Sequence, residues 1–253
     1  MEHVRVETND GVAVVTLVDV ERRNAMTALM VDEIVATFDQ LEADGSTAAV
    51  VVTGAAPAFC SGADVSSLGT LARAETDTER RSVTSIYEGF LRVLRSPLPT
   101  IAAVNGAAVG AGMNLALACD VRLAGTSARF DTRFVKIGLH PGGGHVWMLE
   151  RAVGPQAAAA MVLFGVVVDG ARAAEIGLAW SCHPDDELLD AARALAARAT
   201  RAPMGLLDMV KATLRQAPWQ PNFEEAVATE VSRQAWSLGQ GWFPSSPARE
   251  PKG

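Results

Sequence analysis

The stretch "VNGAAVGAGMNLALACD", Val104 to Asp120, sets three glycines and two asparagines inside the least charged part of the chain. The run from Ile101 to Cys119 carries no charged residue and comes close to the length of a membrane helix. Asn105, Gly106, Gly110, Gly112 and Asn114 argue against that reading, because they would leave amides and flexible backbone unsatisfied in hydrocarbon. The segment reads instead as a buried strand, "TIAAV", then a glycine loop, then a buried helix. Burial on both sides explains why it is apolar throughout.

The pattern continues in both directions. "VRVET" and "VAVVTLV" flank Asn9-Asp10-Gly11, and Asp-Gly supplies the positive φ angles of a hairpin turn. From Asn24 onward, Met26, Leu29, Met30, Ile34, Val35, Phe38 and Leu41 recur at helical spacing, with Gly45 as the stop. "AAVVVTG" and "DVRLAG" read as further strands, so strands alternate with helices as in α/β folds. Residues 66–82, polar with few large apolar groups, are expected to form a mobile surface segment of the kind that gates ligands. After "HPGGGH" the pattern is helical, over 146–153, 155–164, 169–176, 184–199, 204–214 and 223–236. The Pro-, Gly- and Ser-rich tail from Gly239 reads as an extended or disordered arm.

With 253 residues, 49% hydrophobic and 20% charged, the chain suits one globular domain or a core with an appendage. A formal charge of −7 argues against broad binding of nucleic acid or an anionic membrane, while leaving room for a local basic pocket. Cys60, Cys119 and Cys182 are widely spaced, which points to neither a disulfide framework nor structural zinc and fits a reducing cytoplasm. No metal site is expected. The first ten residues carry acidic groups and no apolar core, so they read as a strand, not a secretory signal.

Chemistry concentrates at two strand-to-helix turns, "FCSGADV" (59–65) and "GAGMNL" (110–115). Small residues there expose backbone N–H groups, and a helix N-terminus adds its positive dipole. Two such turns facing each other make a pocket for one carbonyl oxygen.

"ERRNAM" (21–26), "AFCSGADV" (58–65), "IAAVNGAAVGAGMNLALACDVRLA" (101–124), "ARF" (128–130), "GLHPGGG" (138–144) and "AAEIGLA" (173–179) resemble, in order and spacing, the crotonase or enoyl-CoA hydratase/isomerase superfamily. The resemblance spans roughly residues 4–215. It implies an α/β, crotonase-like spiral of ββα units (residues 1–195) holding an acyl-CoA site, and a helical C-terminal trimerisation region with its tail (196–253). It further implies a homotrimer or dimer of trimers in acyl-CoA or fatty-acid metabolism, with no cofactor beyond the coenzyme A of the substrate. By the same likeness the N–H groups of Ala63 and Ala111 form the oxyanion hole. Arg22, Arg23, the backbone of Ala63, Asp64 and Val65, and Lys211 would meet coenzyme A.

Hydratases of the family use two glutamates, and the matching positions here are Asn114 and Phe134. Asn114 hydrogen-bonds without titrating and Phe134 supplies only surface and volume, so the usual two-carboxylate hydration is not expected. Replacement acid–base candidates nearby in sequence are Asp131, His140 and His145, set against the plainer reading of His145 in a first helical turn and His140 in a wet loop. Asp64 reads first as a helix cap and Cys60 as a packing residue. Tyr87 and Glu88 match positions where relatives line the acyl pocket. "GAAVGAG" lacks the third glycine and the acidic partner of a dinucleotide fingerprint. Two functions remain open: an enzyme acting through an enolate-like state, or a non-catalytic acyl-CoA-binding protein.

Overall fold

The computed structural model describes residues 1–63 and 77–243. They form two compact units, Met1–Thr200 and Arg201–Gly253. In the first unit the strands are β1 (Val4–Asn9), β2 (Val12–Leu17), β3 (Ala49–Gly54), β4 (Ala58–Cys60), β5 (Thr100–Val104), β6 (Ala107–Val109), β7 (Val121–Gly125), β8 (Arg129–Asp131), β9 (Val168–Asp169) and β10 (Ser181–His183). The helices among them are α1 (Ala28–Asp44), α2 (Asp77–Arg95), α3 (Ala111–Ala118), α4 (His145–Phe164), α5 (Gly170–Glu175) and α6 (Leu188–Ala196). Helices α7 (Met204–Gln216) and α8 (Phe223–Gly239) make up most of the second unit.

Strands β1-β2-β3-β5-β7-β10 form one sheet in that order, antiparallel at β1–β2 and parallel from β2 on. A second sheet runs β4-β6-β8-β9. Alternation along the strands divides the core in two. Val15, Leu17, Val50, Val52, Ala102 and Val104 join the larger cluster with α1, α2 and α3, whereas Val12, Val14, Val51, Ile101 and Ala103 pack with Leu188, Ala192 and Ala196 of α6. A parallel sheet covered on both faces needs continuous apolar strands, and "AVVVT" and "TIAAV" are of that kind.

Where local chemistry decides the outcome, the sequence expectations hold. Asp10 (φ 46°) and Gly11 (φ 77°) make the hairpin turn, and Gly45 (φ 65°) closes α1. Helix α1 starts later than expected, capped by Thr27, whose hydroxyl accepts from Met30 N–H. The displacement follows from Asn24, which sits at φ 58° and donates its side-chain amide to the carbonyls of Ala55 and Ala58. The two helices expected over 146–153 and 155–164 both form within α4, separated by the non-helical Gly154 (φ 74°, ψ 170°) ahead of Pro155. The expected surface segment 66–82 lies outside the described residues as far as 76; from Asp77 it is helical, carried by the apolar spacing of Ile86, Phe90 and Val93. The tail beyond 243 also lies outside the described residues. Among the described residues no helix is long and apolar enough to cross a membrane.

The segment Val104–Asp120 owes its composition to close packing. Asn105 donates to the Gly54 carbonyl at 2.7 Å and ties the ends of β3 and β5 together. A Cβ on Gly112 would run into the carbonyl of Cys60, so α3 lies directly on β4. We expect Gly112→Ala to cost about 3 kcal/mol of stability or more, because the obstacle is backbone and cannot rotate away. Urea denaturation of the two proteins checks this.

Candidate active site

The two glycine turns meet. A Cβ on Gly62 would stand 2.6 Å from the Val109 carbonyl and 3.7 Å from the Ala111 nitrogen, which only glycine, at φ 101°, avoids. Ala63 and Ala111 both line the same cleft of about 80 Å³, together with Gly110, Thr132, Phe134, Ile137 and Leu139. Ala111 opens α3, so its N–H has no intrahelical acceptor. The bridge between Met26 and Ala63 uses Met26 N–H on the Gly62 carbonyl at 2.8 Å, leaving the Ala63 N–H turned away from Met26. Ala63 and Ala111, the latter at a helix N-terminus, therefore line one small, mostly apolar cleft.

Beside the cleft, α3 and the start of α4 join through side chains. Asn114 is three residues into α3 and fully buried; its amide nitrogen donates to the Gly142 carbonyl at 3.1 Å. Its oxygen therefore faces His145 Nδ1, 2.6 Å away. Since an amide oxygen only accepts, Nδ1 carries the hydrogen of the imidazole. His145 is 1% exposed, and burial pushes its pKa down to about 4. The ring is neutral at pH 7, and its Nε2 is a buried lone pair with no partner among the described residues. The imidazole meets Phe134 edge-on, with ring centroids 5.0 Å apart. Gly142 and Gly143 complete the enclosure: a Cβ on the first would strike the Tyr87 hydroxyl, and one on the second the Phe90 ring.

The positions expected to lack glutamates, Asn114 and Phe134, are thus brought together with His145. His145 does occupy a first helical turn, as the plainer reading had it, but it is buried, and burial rather than the helix dipole keeps it neutral. The other two acid–base candidates sit in different surroundings. His140 is exposed and its Nδ1 lies 2.8 Å from the Pro141 carbonyl, so it stays in the loop. Asp131 is buried, but one oxygen accepts from Arg133 N–H and Lys136, and the other from the Arg133 guanidinium. This carboxylate holds Arg133 at φ 62° and anchors the 3-10 turn Phe134–Ile137; its lone pairs are committed there. Cys60 is buried and its thiol is pushed up to about 12, which suits packing and not attack. Glu88 points outward and pairs with Arg95 at 2.8 Å. The Asn114–His145 contact had no local signal, because its partners are 31 residues apart.

Of the residues expected at coenzyme A, Arg22 and Arg23 are exposed and border the Ala63 turn: Ser61 N–H donates to the Arg23 carbonyl and its hydroxyl to that of Arg22. Asp64 and Val65 lie outside the described residues. Lys211 is buried within α7, in the second unit.

The α/β core thus brings two glycine turns together at one small, mostly apolar cleft. The chain belongs to the enoyl-CoA hydratase/isomerase family, whose model matches residues 7–235. It is 49% identical over 212 residues to a probable enoyl-CoA hydratase of Mycobacterium tuberculosis, EchA14, covering 84% of this chain and 81% of that one. It is 33% identical to the 1,2-epoxyphenylacetyl-CoA isomerase of Escherichia coli, covering 86% and 83%. An enoyl-CoA hydratase-like protein of Thermobifida fusca, solved in complex with acetoacetyl-CoA, superposes with a TM-score of 0.84 at 30% identity, covering 94% of this chain and 96% of that one. The fold is that of the crotonase enzymes.

Because folded His145 protonates near 4 and an unfolded histidine near 6.5, the unfolded chain binds more protons between those values. Stability therefore rises with pH across that window, and acidification from 6.5 to 4 removes up to about 3 kcal/mol. NMR titration of the imidazole should show the low midpoint, and denaturation at a series of pH values the slope; a midpoint near 6.5 would contradict the enclosed ring.

Proposed function

We propose that this chain binds an acyl-CoA thioester and stabilises the enolate-like state that forms when charge moves onto the thioester oxygen. The convergence of Ala63 N–H and Ala111 N–H on the cleft carries this reading. A preorganised donor of that kind contributes about 3–4 kcal/mol in the transition state, more than it gives a neutral carbonyl. Relatives that include an acyl-CoA isomerase and a protein complexed with acetoacetyl-CoA support the ligand class. The exposed Arg22 and Arg23 beside the Ala63 turn suit the phosphates of coenzyme A, with the Ala63 backbone taking the adenine side.

Hydration by paired glutamates is not the reaction of this site, because Asn114 and Phe134 neither give nor take a proton. Residues 1–195 act as the acyl-CoA core and 196–253 as the helical region for assembly into a homotrimer or dimer of trimers, in the cytoplasm. Exposed Leu214, Phe223, Val231 and Leu238 support an assembling surface on the second unit. A second reading, a protein that holds an acyl-CoA without transforming it, is favoured by the engagement of Asp131 with Arg133 and Lys136.

Butyryl-CoA incubated with the protein in deuterated water separates the two, with mass spectrometry reading deuterium at Cα and calorimetry reading binding. Ala111→Pro removes one donor at a helix position that tolerates proline, and should lower exchange by about 10²–10³-fold. Unchanged exchange in that variant contradicts the oxyanion assignment. Binding without exchange in the parent protein selects the second reading.

A further inference from the structure

We propose that His145 Nε2 is the proton acceptor of this site, taking the α-hydrogen of a bound acyl thioester whose oxygen rests on Ala63 N–H and Ala111 N–H. The inference deepens the enolate reading above and rests on it. A buried acceptor without a donor is unfavourable unless the atom has a use, and among the described residues Nε2 is such an atom. Its direction of use is set by the neighbouring bond: Asn114, pinned by the Gly142 carbonyl, accepts from Nδ1–H, so the lone pair must lie on Nε2. The same helix turn supplies Ala111 N–H and Asn114, which places donor and base support on one rigid element.

The step balances without a co-reactant. The Cα–H bond breaks and its proton goes to Nε2; its electron pair forms the Cα–C1 double bond, and the carbonyl π pair moves to the oxygen. The resulting imidazolium keeps Nδ1–H on the Asn114 oxygen. Return of the proton to carbon restores the neutral ring. Phe134 meets the imidazole edge-on and also walls the cleft, so it is the residue that links the two, and this ring must move for an acyl group to reach Nε2. The turn that carries Phe134 is bounded by positive φ at Arg133 (62°) and Gly138 (69°).

The discriminating variant is His145→Asn, whose amide N–H takes the place of Nδ1–H toward Asn114 while nothing replaces Nε2. In the butyryl-CoA assay we expect binding to stay within a few-fold and α-deuteration to fall by about 10²–10⁴-fold, the usual loss of a general base. Exchange that survives this substitution overturns the role of the histidine and leaves the acyl-CoA reading standing. A parent protein that binds butyryl-CoA without exchanging it overturns both the base and the enolate chemistry, and one that does not bind it overturns the ligand class as well. Should His145→Asn not fold, 15N NMR of the parent protein decides: saturation with butyryl-CoA must move the Nε2 resonance, and an unmoved resonance overturns the proposal.

Discussion

The site depends on two places where backbone lies against backbone with no side chain between. Gly112 sets the first turn of α3 on the Cys60 carbonyl, and Gly62 sets its own turn on the Val109 carbonyl. Together they bring Ala63 and Ala111 to one cleft. Neither contact tolerates a methyl group. The polar side chains of this region serve that packing: Asn24 and Asn105 satisfy carbonyls at the strand ends that the sheets leave open.

Beside the cleft, the chain handles buried polarity by neutrality. Asn114 and His145 form a buried, uncharged pair in which each atom's role follows from the next: the Gly142 carbonyl orients the amide, and the amide selects the tautomer. Asp131 shows the opposite solution. Burying that carboxylate takes Arg133 and Lys136 as partners, and the same contacts hold the turn that presents Phe134. An imidazole with a pKa of about 4 has the proton affinity of a carboxylic acid's conjugate base without its charge.

Much of the fold could be read locally. The Asp10-Gly11 turn, the Gly45 stop and the apolar strands around 50 and 102 depend on residues within a few positions of one another, and the structure has them where the pattern places them. Readings slipped where a distant group intervenes. The helical spacing begins at Asn24, yet carbonyls more than 30 residues away hold its side chain, and the helix starts after Thr27, which caps it. Asp131, His140 and His145 looked equivalent as candidates along the chain; salt bridges, exposure and burial separate them.

The sequence by itself determined the alternation of strands and helices, the small residues at both turns, and the absence of carboxylates at 114 and 134, because each of these is a property of residue type and spacing. Tertiary structure decided which polar groups share a cavity and which nitrogen of His145 keeps its lone pair. Such facts depend on burial and on partners brought together across 31 residues, as at His145 and Asn114, and no local pattern of amino acids encodes either.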